Sequence, residues 1–151
     1  IRSMAAKTLN LDQFLPYRLS IASNALSERI AADYQNRFGL KIPEWRLMAV
    51  LGEGKPMTQR ELVQATRMDK VTVNRAAKAL ADRQLIARQA HEADGRSHHL
   101  ELTETGRSLY DAIVPAALAT EERLESHISA TERTALMAIL AKLIAAAEDY
   151  G

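Results

Sequence analysis

Two helix starts follow each other so closely in the middle of this chain that they leave room only for a pair of short helices and a tight turn. Thr58-Gln59-Arg60-Glu61 is a capping box, in which the Thr58 hydroxyl accepts from the Glu61 amide and the Glu61 carboxylate reaches back. The helix it opens is expected to end near Ala65. Asp69 caps the next one, whose inward side is marked by Val73, Ala77 and Leu80, with Ala76 and Gln84 nearby. Two short helices joined by a three- or four-residue turn form a helix-turn-helix unit. Ile86 to His91 and His98 to Leu102 then read as short strands, with Asp94-Gly95 as the hairpin signal between them. The hairpin makes the unit a winged one.

Longer helices flank this unit. Leu15-Pro16 opens a pattern in which Leu19, Ala22, Leu26, Ile30, Tyr34 and Phe38 form one apolar stripe, and Gly39 stands at the left-handed position beyond its end. Pro43 opens a shorter, mostly buried helix with Trp45, Leu47, Met48, Val50 and Leu51, stopped by Gly52-Glu53-Gly54-Lys55-Pro56. After Leu102-Thr103 a long helix carries Leu109, Ile113, Leu118, Leu124 and Ile128, and Pro115 is expected to kink or split it. Ser129-Ala130-Thr131-Glu132 is a second capping box, opening a final helix with Leu136, Ile139, Leu140, Leu143 and Ile144 on one face. The fold class is therefore mostly α with a small β-hairpin wing. The flanking helices carry more apolar surface than the small central unit can cover, which predicts a dimer.

At 151 residues the chain fits one domain over 1–151, with Ile1 to Ser3 expected to be a tag remnant ahead of Met4. With 47% hydrophobic and 26% charged residues it is too apolar for disorder. Its longest apolar run, Ala135 to Ala147, is broken by Lys142 and is shorter than the roughly 20 residues a bilayer requires, so no membrane partner is expected. Having no cysteine excludes disulfides, thiolate chemistry and sulfur-based zinc fingers. The net charge of +1 hides a contrast. Lys55 to Arg88 holds eight basic and three acidic residues, a net +5, whereas Ser108 to the end holds three basic and seven acidic, a net −4. A basic middle beside an acidic tail fits a nucleic-acid surface on a non-binding scaffold.

With Val73, Ala77 and Leu80 inward, helical steps of about 100° turn Val71, Asn74, Arg75 and Lys78 outward, with Thr72 at the margin. An Arg75 fork matches guanine O6 and N7, Asn74 matches adenine, and the Val71 and Thr72 methyls fit a thymine methyl. Lys70 and Lys78 suit phosphates. At the hairpin tip, Asp94-Gly95-Arg96-Ser97 offers a guanidinium to a narrow minor groove, with Asp94 bracing Arg96.

In this order and spacing, Asp69-Lys70-Val71-Thr72-Val73-Asn74-Arg75, Leu80, Leu85-Ile86-Ala87-Arg88, Asp94-Gly95-Arg96-Ser97 and Leu102-Thr103-Glu104-Thr105-Gly106 resemble the MarR family of bacterial winged-helix transcription regulators. The resemblance spans about Leu15 to Ala147. It implies a ligand-responsive homodimeric repressor reading a near-palindromic operator in double-stranded DNA, with dimerisation helices at 15–38 and 108–149 and a DNA-binding lobe at 43–107. It assigns base reading to Thr72, Asn74 and Arg75, the minor groove to Arg96, and a place beside the duplex to Ser97. One departure is Gln84, where the family has glycine; a left-handed backbone there costs a non-glycine residue about 1 kcal/mol.

Family members often release DNA when a small aromatic or amphipathic acid binds. Tyr17, Arg18, Ser20, Ile21, Asn24, Trp45, Arg46 and Met48 offer apolar walls, hydroxyl or amide groups and cations suited to such an acid or its CoA thioester. No cofactor or metal is expected: His91 and His98 could face each other across the hairpin, but the supporting ligand spacing is missing. Ser97, His98 and Asp94 are the residue types of a hydrolase triad, yet adjacent side chains on a strand point to opposite faces, which opposes a nucleophile and its base side by side. The competing reading is a winged-helix adaptor that binds another protein and leaves DNA alone. Asn74, Arg75 and Arg96 speak against it, because a protein-binding face exposes more aromatics. The expected location is the bacterial cytoplasm, at the nucleoid.

Overall fold

The computed structural model describes the backbone of residues 7–91 and 94–150 and the side chains of residues 7–89 and 98–150. After a 3-10 turn at Leu11–Gln13, the order is α1 (Leu15–Phe38), α2 (Ile42–Leu51), α3 (Gln59–Thr66), α4 (Lys70–Asp82), β1 (Ile86–His91), β2 (Asp94–Leu102), α5 (Glu104–Glu125) and α6 (Ala130–Asp149). The chain divides into two compact units, one ending at Ile113 and one beginning at Val114.

In the first unit the punctuation of the sequence sets the helix ends. Pro16 stands in the first turn of α1, and Gly39 turns left-handed at φ 67° with its amide on the Gln35 carbonyl. At α3 the Glu61 amide donates to Thr58 Oγ1 at 3.1 Å and the Thr58 amide donates to Glu61 Oε1 at 3.0 Å. Leu40, Leu47, Met48, Leu62, Val73, Leu80, Leu100 and Ile113, each at most 1% exposed, meet in one core with Tyr34, Leu51, Ala76, Ala77, Leu85 and Ile86. A buried side chain of this size contributes about 1.5–3 kcal/mol, so α4 is fixed mainly by its inner face. The apolar stripe of α1 is used only in its second half: Ala31 and Tyr34 are buried, while Ala22 and Leu26 stay exposed.

The two strands pair antiparallel from Ile86–Leu102 to Ala90–His98, with an irregularity between Ala90 and His91, which pairs with Asp94. Met57 joins by mutual backbone hydrogen bonds with Leu100, at 3.0 and 2.7 Å, tying the chain ahead of α3 to the stem of the hairpin. Three expectations need correction here. β2 begins at Asp94, not His98, so Asp94-Gly95 lies in the strand and His98 faces Ala90 instead of His91. Register follows cross-strand pairing, which overrides a local turn signal. Gln84 is exposed beyond the end of α4 and takes no part in its inward side. Of the kink or split expected at Pro115, the split does not occur: α5 runs through it, the strong helix formers Ala112, Ala116, Ala117 and Ala119 carrying it across.

In the second unit, Ser129 and Glu132 form the capping box of α6, with the Glu132 amide on Ser129 Oγ at 3.0 Å and the Ser129 amide on Glu132 Oε1 at 2.8 Å. Arg133 Nε meets Glu125 Oε1 at 2.7 Å across the turn. No residue of α6 is buried; Leu136, Met137, Ile139 and Ile144 are each about half exposed.

Candidate nucleic-acid interface

α4 is amphipathic in the sense that matters for recognition. Val73, Ala76, Ala77 and Leu80 face the core, whereas Lys70, Val71, Asn74, Arg75 and Lys78 are exposed and Thr72 is half-buried. The helix starts at Asp69, whose carboxylate accepts from the Thr72 amide and from the Thr72 hydroxyl, both at 2.8 Å. Those two bonds, the amide first, hold the Asp69 carboxyl below the usual carboxylate range. Thr72 thus spends its hydroxyl on the cap and keeps its methyl for an apolar contact. Val71 stands 58% exposed beside it, a large apolar side chain on the open surface. Lys78 Nζ lies 3.5 Å from Asp82 Oδ2 on the open surface. Such a pair contributes at most about 1 kcal/mol and is readily exchanged for a phosphate.

Clefts make α4 a ridge. On one side, about 300 Å³ is bounded by Lys41, Pro43, Glu44, Thr72, Arg75, Ala76 and Ala79. On the other, about 380 Å³ lies among Gln59, Asn74, Ala77, Lys78, Ala81, Asp82, Arg88 and Leu100. A further cleft of about 260 Å³ is lined by Gln59, Arg60, Val63, Lys70 and Asn74. The fold thereby adds Gln59, Arg60 and Arg88 to the face read from sequence. For Arg60 and Arg88 the sequence signal was the basic excess from Lys55 to Arg88, which does not say which cations share a side; Gln59 carried none. Asp94, Arg96 and Ser97 lie on β2; their side chains, and with them the expected brace between Asp94 and Arg96, fall outside the described residues.

Both ends of α4 turn through left-handed non-glycine residues, Arg67 at φ 59° before it and Gln84 at φ 60° after it. At the C-terminal end the Gln84 amide returns to the Ala81 carbonyl and the Leu85 amide to the Leu80 carbonyl, both at 2.9 Å. This is the Schellman arrangement, with the buried Leu80 and Leu85 as its apolar contact. Gln84 therefore occupies the glycine-favoured position itself. Thr103 locks the same corner: its hydroxyl donates to the Gln84 carbonyl at 2.7 Å, and its amide donates to the Leu85 carbonyl at 3.1 Å. A side chain at Gly106 would put its Cβ 1.9 Å from the Leu85 carbonyl oxygen.

The eight residues read as ligand contacts do not share one environment. Trp45 is half-buried and stacked between Tyr34 and Tyr110, with ring centroids 5.4 and 5.8 Å away. Arg46 is exposed on the next residue; burial pushes the Tyr34 hydroxyl pKa up, and the Arg46 charge works against that rise. Met48 is fully buried, because its helical position puts it on the inner side of α2. Arg18, Ser20, Ile21 and Asn24 lie on the exposed first half of α1, with Tyr17 partly covered. Among the described residues no group of three or more His, Asp or Glu side chains could hold a metal ion. No described helix is long and apolar enough to cross a membrane.

A buried-backed helix presented between clefts, followed by a paired hairpin, defines a winged helix-turn-helix protein. Residues 38–97 match the MarR family model. The HTH-type transcriptional repressor NicR of Pseudomonas putida is 33% identical over 104 residues, covering 69% of this chain. The chain spans 66% of the length of that relative. Among solved structures, a MarR/EmrR family transcriptional regulator from Acinetobacter sp. ADP1 superposes with a TM-score of 0.86 at 26% identity, over 93% of this chain and 99% of that one. BpsR of Bordetella bronchiseptica, whose DNA binding is regulated by 6-hydroxynicotinic acid, shares the fold at a TM-score of 0.80 and 22% identity, over 91% and 97%. The chain belongs to the MarR family of transcriptional regulators.

Proposed function

We propose that the chain is a homodimeric repressor that binds a near-palindromic operator and is released by a small aromatic acid or its thioester. The observation that carries this reading is the outer face of α4, where Asn74 and Arg75 stand exposed on a helix whose inner residues are buried. Base-edge donors on a rigid helix are what major-groove recognition requires. Lys70, Lys78, Arg60 and Arg88 around them supply phosphate contacts, and Arg96 with Asp94 and Ser97 supplies the minor-groove contact. The DNA-binding lobe is residues 43–107, and the dimerisation helices are residues 15–38 and 108–149. Exposed Leu9, Leu11, Phe14, Leu15, Ile21 and Leu26 near the start, and the uncovered side chains of α6, support the second copy. The site of action is the cytoplasm, at the nucleoid, and no reaction is catalysed.

Binding to the DNA upstream of the chain's own gene, measured by fluorescence anisotropy at several salt concentrations, tests the reading. The logarithm of the binding constant is expected to fall linearly with log salt, at a slope of about −0.9 per phosphate neutralised. Flat, salt-independent behaviour would favour the adaptor. In this reading the effector lies against Trp45 and Arg46, and Tyr17, Arg18, Ser20, Ile21 and Asn24 reach it only where a second copy covers the exposed first half of α1. A thermal-shift screen of aromatic acids and their CoA esters, 6-hydroxynicotinic acid included, tests this. A ligand at 100 times its Kd should stabilise by about 2.7 kcal/mol. No shift with any member of the panel would remove the aromatic-acid assignment.

A further inference from the structure

The guanidinium of Arg83, at the C-terminal end of α4, donates through Nη2 to the Phe38 carbonyl at 3.0 Å and through Nη1 to the Gly39 carbonyl at 3.3 Å. These oxygens close α1, where the helix leaves carbonyls without amide partners and its dipole is negative. A planar fork takes two neighbouring carbonyls in one geometry, whereas an ammonium group acts as a rotating point charge. The contact is exposed and joins elements more than forty residues apart, and the buried Val73, Ala76, Ala77 and Leu80 already hold α4 in the core without it. What the fork adds is an angular tie between the end of α4 and the end of α1. The left-handed turn at Gln84 sends the chain away immediately afterwards, so Arg83 is the last residue of the helix end placed to make it.

We propose that Arg83 is a positioning residue for operator recognition: it fixes α4 against α1 and thereby sets the half-site spacing that the dimer accepts. The inference rests on the reading of the chain as a dimeric DNA-binding regulator, in which α1 is a dimerisation helix and α4 the reading helix. It contacts no base itself.

The test uses the full chain and duplexes carrying two copies of the half-site that the unaltered protein enriches from a randomised pool. Centre-to-centre spacing is stepped by one base pair either side of the optimum, and the dimer is followed by light scattering. The unaltered protein is expected to lose about tenfold in affinity per step, since each base pair rotates the half-site around the duplex. Arg83→Ala should remain dimeric and flatten the series to within about threefold, with Arg83→Lys intermediate. Equal weakening at every spacing, with the profile kept, is what a merely structural role would give and overturns the proposal. A flat profile for the unaltered protein overturns it too. Failure of the unaltered protein to enrich any DNA, or to dimerise, removes the functional reading and this inference with it. Arg83→Lys, which keeps the charge and the aliphatic stem, carries the same test if the alanine variant does not fold.

Discussion

At Gln84 the backbone sits at φ 60° with a Cβ where glycine would have none. A left-handed conformation costs an L-residue roughly 1–2 kcal/mol, offset here by the two Schellman hydrogen bonds and the Thr103 contact. Gln84→Gly is therefore expected to stabilise the fold by about 1 kcal/mol, raising Tm by about 2–4 °C for a chain of this size, with base preference unchanged. Urea unfolding checks it, and a loss of stability would show that the glutamine side chain contributes more than its backbone strain costs. Asp69 gives a pH-dependent prediction. Its folded-state pKa is lowered by the Thr72 amide and hydroxyl, so its stabilising contribution is full above the ordinary carboxylate range and is lost as pH falls through the lowered folded value. Asp69→Asn keeps a cap acceptor but cannot titrate there. The stability gap between the two proteins should close on acidification, and thermal melts at neutral and strongly acid pH measure it; a gap that widens in acid contradicts the assignment.

Among the elements, α4 was the most legible. Its periodicity placed Val71, Asn74, Arg75 and Lys78 outside and Thr72 at the margin, and burial in the fold divides them the same way. An amphipathic pattern against one core leaves no freedom of rotation about the helix's own axis, because such a turn would bury Arg75 or expose Leu80. The hairpin was less legible: Asp94-Gly95 has turn chemistry, yet the pairing from Ile86–Leu102 onward carries both residues into β2. Gln59, Arg60 and Arg88 were hidden for another reason, since joining them to α4 needs the placement of α3 and β1, which no local pattern encodes. At this scale Arg75→Ala should cost about 1–3 kcal/mol of operator binding and relax selectivity at one base position per half-site. Arg96→Ala should weaken binding on all sequences and leave the dimer intact. Operator libraries with each base varied distinguish the two, and unchanged selectivity after Arg75→Ala would refute its assignment as a reader.

For the molecule as a whole, the apolar faces outside the core are the part whose purpose sequence expressed only indirectly. The stripes of α1 and α6 read as more apolar surface than the central unit can cover, and Leu26, Leu136, Ile139 and Ile144 are about half exposed in the single chain. A glutamate at both Leu136 and Ile139 should spare the core of the first unit, to which neither residue belongs, and weaken self-association by at least about 100-fold, near 3 kcal/mol. Analytical ultracentrifugation reads the dimer, and circular dichroism verifies that the helices persist. A variant that stays dimeric would move the interface elsewhere. The backbone bridge from Met57 to Leu100 has its own consequence for such an assembly. Because those two hydrogen bonds couple the hairpin stem to the entry of α3, under the proposed function any strain the hairpin meets along a duplex would be delivered first to α3, proposed to meet phosphates, and only then to α4, proposed to read bases. Duplexes of unfavourable shape should then be held less tightly while the preferred sequence stays the same.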